Sequence, residues 1–359
     1  LKIIILFIFQ FTELKAEVKP TFKQKFSLNG IINSPSEVSL SPDGKKIFFT
    51  VFATNKFEQY TLTVPFDISS LDTSTKIEFD LNAGSDDVVL AQGHAFNSDG
   101  TKFFVVSKTE SATQLNAHSL SRPYDLSSDI SQIADDGIAW VTAFSAGDGA
   151  VHAQDITFNN DGTKMYLFDA GHNTQGDGGV VEYDLSVPYD TSTASFVNEL
   201  VTSDALSLFE QDVEFDDDGT RMYVIDSHTT ANANAKIAVY KLSTPFHTST
   251  ATFVGSINNF FNASGGTGTP IGLGFSSDGM KLYQTTYTIT GSGDLDRVYE
   301  YDLVCPYGIV LCETDAVTAI GAQVEIAKNV IHQNSSTIFK RLDWLRRNDE
   351  RANLTNHEV

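Results

Sequence analysis

The chain has 359 residues, 41% of them hydrophobic, with 24 basic and 46 acidic side chains and a net charge of −22 at neutral pH. That excess of acid repels a polyphosphate backbone and offers no counterion release, which excludes nucleic acid as a partner. The length and apolar content suffice for a full core and do not read as a multi-span membrane protein, and the acidic surface suits divalent cations, salty exteriors or plain solubility.

Residues 1–16 read as a secretory signal peptide. A short basic start leads into an apolar run from Ile3 to Phe9. That run is far below the roughly 20 residues that cross a bilayer. Cleavage is expected near Ala16, and the protein is expected outside the cytoplasm: extracellular, at the cell surface, or periplasmic.

From there the chain repeats itself five times. Asp-Gly turns at Asp43, Asp99, Asp161, Asp218 and Asp278 stand about 56 to 62 residues apart. Such a period is one supersecondary unit per repeat. The third repeat is the clearest. Asp155 to Asn159 leads into the turn at Asp161, Lys164 to Phe168 follows, then Val180 to Leu185, then Ala194 to Leu200. Each run has strand length, is rich in β-branched and aromatic residues, and is bounded by turn formers. Four short antiparallel strands make one propeller blade. The turns read as tight hairpins with a left-handed glycine. Asp216, Asp217 and Asp218 occupy the same hairpin position and so read as a turn rather than a calcium loop.

A second signature closes each third strand, a proline followed by an aromatic: Pro65 and Phe66, Pro123 and Tyr124, Pro188 and Tyr189, Pro245 and Phe246, Pro306 and Tyr307. Proline is tolerated at strand ends, and the aromatic is expected to plug between blades. The last repeat has no fourth strand after Pro306, whereas Lys23 to Leu28 has no partner of its own. Pairing the two closes the ring and leaves no exposed edge. The expected fold is all-β, a five-bladed propeller of four-stranded antiparallel blades over residues 17–313, closed by an N-terminal strand and followed by an α-helical tail over 314–359.

The two cysteines, Cys305 and Cys312, lie in one short stretch of an exported chain and read as a local disulfide. Without matching histidine spacing they make a poor zinc site. Beyond Thr314 an apolar stripe of Ile320, Val324, Ala327, Ile331, Ile338, Leu342 and Leu345 follows helical spacing, with an interruption at residues 334–337.

The strings DGTKMY (161–166) and VEYDLSVPYDTSTA (181–194) resemble the repeats of secreted propeller proteins of marine bacteria. QVEIAKNVI (323–331) and IFKRLDWLRRN (338–348) resemble the helix that precedes the outer-membrane barrel of alphaproteobacterial autotransporters. The second resemblance implies a passenger carried to the cell surface. Residues 349–359 hold none of the alternating strands that a barrel requires, so membrane association is expected only through a barrel this sequence does not include.

In a propeller the innermost strand begins on one face, and the loop between second and third strands returns there. Converging on that face are Gln92 to His94, His152 to Asp155 and Glu210 to Asp212, with Asp169 to His172 and Asp226 to His228 from the loops. Repeats one and five place Ser36 and Glu37, and Ile271 and Gly272, at the inner position and read as not matching. The expected site is a polar funnel of Asp155, Asp212, Asp169, Asp226, His152 and His94. Its carboxylates suit a hard cation such as calcium, and its imidazoles a transition metal or small polar ligand. The other reading is that these acids bond the backbone amides of adjacent blades.

The sequence has no Gly-x-Ser-x-Gly elbow, no His-Glu-x-x-His helix and no phosphate-binding glycine loop that opens a helix. The functional expectation is an exported binding or passenger propeller without catalysis of its own, with a polysaccharide or surface protein as partner. The competing expectation is a metal-dependent, lactonase-like hydrolase or lyase that uses the funnel carboxylates.

Overall fold

The computed structural model describes residues 18–82, 90–108, 113–136, 153–169, 179–202, 210–227, 235–258, 269–287 and 296–312. The signal peptide and the helical tail expected from the sequence lie outside the described residues. Five four-stranded antiparallel sheets form the fold. Blade 1 contains β2 (Pro35–Leu40), β3 (Lys46–Val51), β4 (Lys56–Leu62) and β5 (Leu71–Asp80). Blade 2 contains β6 (Ala91–Phe96), β7 (Lys102–Lys108), β8 (Thr113–Leu120) and β9 (Ile130–Asp136). Blade 3 contains β10 (Ala153–Phe158), β11 (Lys164–Asp169), β12 (Gly179–Leu185) and β13 (Ala194–Val201). Blade 4 contains β14 (Glu210–Phe215), β15 (Arg221–Asp226), β16 (Lys236–Leu242) and β17 (Ala251–Asn258). Blade 5 contains β18 (Thr269–Phe275), β19 (Lys281–Tyr287) and β20 (Arg297–Asp302), with β1 (Thr21–Ser27) as its fourth strand.

The closure expected from the sequence is therefore present. β1 runs antiparallel to β20, from Thr21 opposite Asp302 to Ser27 opposite Arg297. One further bridge precedes it, in which Val18 and Val310 exchange both backbone hydrogen bonds. Val310 sits in the loop closed by the Cys305–Cys312 disulfide, so the same staple that ends blade 5 also grips the start of the closing strand.

The core lies between blades rather than at a single centre. Five apolar clusters each join two neighbours; one sets Tyr223, Ile225 and Val239 of blade 4 against Leu273, Leu282 and Tyr301 of blade 5. Another sets Val38, Phe49 and Tyr60 of blade 1 against Tyr283 and Val298 of blade 5. Second strands are buried on both faces, as Ile47 to Val51 are, whereas outer strands such as β1 and β13 are largely exposed.

The Asp-Gly turns follow a local rule. Each aspartate accepts the amide two residues on, as Asp161 Oδ1 does from Thr163 at 3.0 Å. Each glycine then takes a left-handed φ, 66° at Gly44 and 69° at Gly162. The corner aromatic of the same blade lies flat over that glycine. A Cβ at Gly162 would fall 2.2 Å from the Tyr189 ring, so the position needs glycine twice over. The five corner aromatics themselves adopt positive φ, between 52° at Tyr124 and 61° at Phe66. They also join blades: the carbonyls of Phe66, Phe246 and Tyr307 accept from the hydroxyls of Tyr283, Tyr166 and Tyr223 on the preceding blade. In the acidic run of the fourth turn, Asp216 holds Arg221 at 2.7 Å, Asp217 accepts from Tyr307 Oη at 2.6 Å and Asp218 accepts from Thr220.

Buried side chains on the third strands lock the corners of the following blades. Glu182 accepts both the amide and the hydroxyl of Thr248 at 2.8 Å, and Lys164 at 2.6 Å. Glu300 accepts the amide of Ile68 at 3.1 Å and Gln59 accepts that of Leu126 at 2.8 Å. Each corner amide would otherwise be a buried donor without an acceptor.

Candidate functional site: a ring of acids and glycines on the axis

Every first strand carries one extra residue against its partner, just before its axis-facing position. The register slips between Pro35 and Glu37, Ala91 and His94, Ala153 and Asp155, Glu210 and Asp212, and Pro270 and Leu273. A bulge of this kind re-aims the side chain beside it. Counting back three residues from the bulky residue that ends each strand (Leu40, Phe96, Phe158, Phe215, Phe275) gives the ring Glu37, Gly93, Asp155, Asp212 and Gly272.

Glu37 therefore stands in register with Asp155 and Asp212, which corrects the expectation that the first repeat does not match. The three acids converge, with one carboxylate oxygen from each within 4.8 Å of the others. They are 3%, 3% and 1% exposed respectively. The glycines make this approach feasible: a Cβ on Gly272 would lie 2.7 Å from the Glu37 Cα.

Each acid has one oxygen anchored by an amide. Asp155 Oδ2 accepts Val213 N at 3.1 Å, and Asp212 Oδ2 accepts Leu273 N, in each case across to the next blade. Where the preceding blade offers only glycine, the amide turns to its own acid: Val38 N donates to Glu37 Oε1 at 2.7 Å, and Ile156 N to Asp155. The expectation that these acids bond neighbouring amides describes one oxygen of Asp155 and one of Asp212. It leaves Asp212 Oδ1, buried and without a hydrogen-bond partner among the described residues.

Burial raises all three acids. It carries Asp155 to about 7, and it pushes Glu37 and Asp212 well above the carboxylate range, with the charges of the neighbouring acids adding to the effect. Glu214, two residues beyond Asp212 on the same strand, is raised by burial and by Asp155. Sequence reasoning missed both Glu37 and Glu214. Aligning the repeats on the last residue of the first strand, instead of on the Gln-Asp pair, would have found Glu37.

Among the described residues, the other expected ones, His94 and Asp226, do not join the cluster. His94 lies one position past the ring, wedged against Phe57 and Phe96 with centroids 4.7 and 6.3 Å away. Its two ring nitrogens meet Ser39 Oγ at 2.6 Å and Thr50 Oγ1 at 2.8 Å, and burial lowers its pKa to about 3. It is a neutral core histidine. Asp226 is fully buried at the end of β15, opposite Glu210 and Lys236. Asp169 ends β11 opposite Ala153 and Gly179; its side chain, like all of His152, lies outside the described residues.

Chemically, the ring gathers three buried carboxyl groups on the axis of a five-bladed propeller. No family model matches the sequence, and no curated protein matches it. Solved structures similar to the chain include a luciferin-regenerating enzyme, at 12% identity and a TM-score of 0.43 over 80% of this chain and 99% of that one. The periplasmic gluconolactonase PpgL of Pseudomonas aeruginosa is 12% identical, with a TM-score of 0.41 over 74% and 70%. The PQQ-bound aldose sugar dehydrogenase of Streptomyces coelicolor is 11% identical, with a TM-score of 0.40 over 79% and 99%. Likenesses this distant carry nothing about activity, and the propeller rests on the strand pairing itself.

Proposed function

We propose that this chain is an exported propeller that binds without turnover, displayed at the cell surface or released as a passenger, with a polysaccharide or a surface protein as partner. The observation that carries this reading is the burial of the axial acids. Glu37, Asp155 and Asp212 expose almost no surface to a substrate-sized molecule, and each spends an oxygen on a backbone amide. General acid and base groups must reach the atoms they serve. The Cys305–Cys312 disulfide supports export, since such bonds persist in oxidising compartments. The partner is taken at the funnel face, the end of the ring at which the first strands begin.

The competing reading, a metal-dependent lactonase-like hydrolase or lyase, draws only on the presence of clustered carboxylates. A panel of acidic and neutral polysaccharides and of outer-surface proteins, screened with the purified full chain alongside a lactone hydrolysis assay, separates the two. Retention of a partner with no hydrolysis is the expected result. Lactone turnover that disappears in Asp155→Asn would overturn the binding reading.

A further inference from the structure

We propose that Glu37, Asp155 and Asp212 hold one hard divalent cation of the calcium kind on the propeller axis, tying blade 1 to blades 3 and 4. This names a ligand of the axial acids within the binding propeller proposed above, and it rests on that reading.

The first support is geometric. Three oxygens from three blades fall within 4.8 Å of one another. A calcium ion sits about 2.3–2.6 Å from each ligand and so bridges oxygens up to about 5 Å apart. The second support is the unpartnered oxygen. Asp212 is 1% exposed; its carboxyl lies against those of Glu37 and Asp155, and among the described residues no N–H or hydroxyl donates to its Oδ1, a condition that buried polar atoms rarely keep without a water or an ion. The third is orientation: the amides of Val38, Val213 and Leu273 fix one oxygen on each acid, as outer partners do for metal-ligating carboxylates. The donor set is carboxylate throughout. The nearby imidazole of His94 is already bonded through both nitrogens, so soft or borderline metals are disfavoured.

The ring composition fits this role. Three like charges brought together in a dry interior repel unless a counter-charge or a proton sits between them. The glycines at positions 93 and 272 let Asp155 and Glu37 of the neighbouring blades approach this closely. A cation there works as an axle: it ties blade 1 to blades 3 and 4, from which blades 2 and 5 separate it.

The test uses the purified full chain stripped with EGTA, titrated calorimetrically with calcium chloride and with magnesium chloride, and melted with and without each. The same measurements are made on Asp212→Asn and Glu37→Gln, with far-UV circular dichroism to establish folding. The expected result is one calcium per chain, a higher Tm with calcium, weaker binding of magnesium, and calcium affinity at least tenfold lower in either variant. No calcium heat and no Tm shift in the wild type would overturn the proposal, and that arm does not depend on the variants folding. A stripped Asp212→Asn more stable than the stripped wild type, with calcium inert on both, would also overturn it and assign shared protons to the acids. Calcium bound while the polysaccharide and protein panels stay blank supports the site and sinks only the partner reading. A retained partner with no calcium bound does the reverse.

Discussion

Gly93 faces the carboxylate of Asp155 so closely that a Cβ built on it would lie 2.1 Å from Oδ1 and 2.6 Å from the Asp155 Cα. The two positions are equivalent in adjacent blades, and one can hold an acid on the axis only because the other holds nothing. Gly93→Ala is therefore expected to lower stability by about 1–3 kcal/mol, the usual range for overpacking a dense interior. Urea unfolding measures it, and a midpoint unchanged from wild type would show that the ring is looser than these distances state.

Glu182 separates buried from exposed ion pairs within one contact. It shares Lys164 with Asp184, and the two carboxylates differ in side-chain exposure, 0% against 59%. Glu182→Ala strands the buried amide of Thr248 and leaves Lys164 with Asp184 alone, and a loss of about 1–3 kcal/mol is expected for a buried donor without its acceptor. Asp184→Asn should cost less than about 1 kcal/mol, as exposed pairs do. Equal losses for the two variants in chemical denaturation would refute the assignment of Glu182 as the corner lock.

His94 gives a pH dependence of defined sign. Burial takes its pKa from the ordinary 6.5 to about 3, so between those values the unfolded chain binds the extra proton and the folded one does not. The stability this histidine contributes is fully present above pH 6.5 and is lost as the pH falls toward 3. Comparing wild type with His94→Gln cancels the opposing titration of the axial acids, whose raised pKa values favour the folded state at acid pH. The wild-type Tm is expected to fall faster than that of the variant between pH 7 and 4. Parallel curves would mean that His94 titrates normally.

The disulfide closes a loop with a sequence separation of 7. Chain-entropy arguments give roughly 2–3 kcal/mol for a loop this short. Replacing both cysteines by serine should cost about that much, and the loss should be local first. The exchange of the Val18 and Val310 amides, which bond each other's carbonyls, is expected to quicken more than that of the β1 amides opposite β20. Hydrogen exchange checks this, and unchanged protection at Val18 and Val310 would refute the clamp.

Much of the architecture was legible because it is written in local chemistry. An Asp-Gly pair states its own turn, a proline ends its own strand, and the unpartnered run from Lys23 to Leu28 had one vacancy to fill. The site was legible only in part. Asp155 and Asp212 stood out because they share a preceding glutamine, and that same likeness hid Glu37, which follows Ser36. What unites the three acids is a bulge, a one-residue slip between paired strands, and pairing is invisible along a single strand. His94 misled for a related reason: one step past the bulge, a side chain leaves the axis and enters the packing between blades.

The order in which the chain is made sets a further condition. Thr21 to Ser27 is synthesised near the beginning, yet its hydrogen-bonding partner, Arg297 to Asp302, comes nearly at the end of the propeller. Until Arg297 to Asp302 has been made, these seven residues have no edge to join, and the fifth sheet stays incomplete. Pairing across so long a separation is slow to form, so a nascent molecule has an extended interval as an open arc with a bare edge, the stage at which assistance or mishap has the greatest effect.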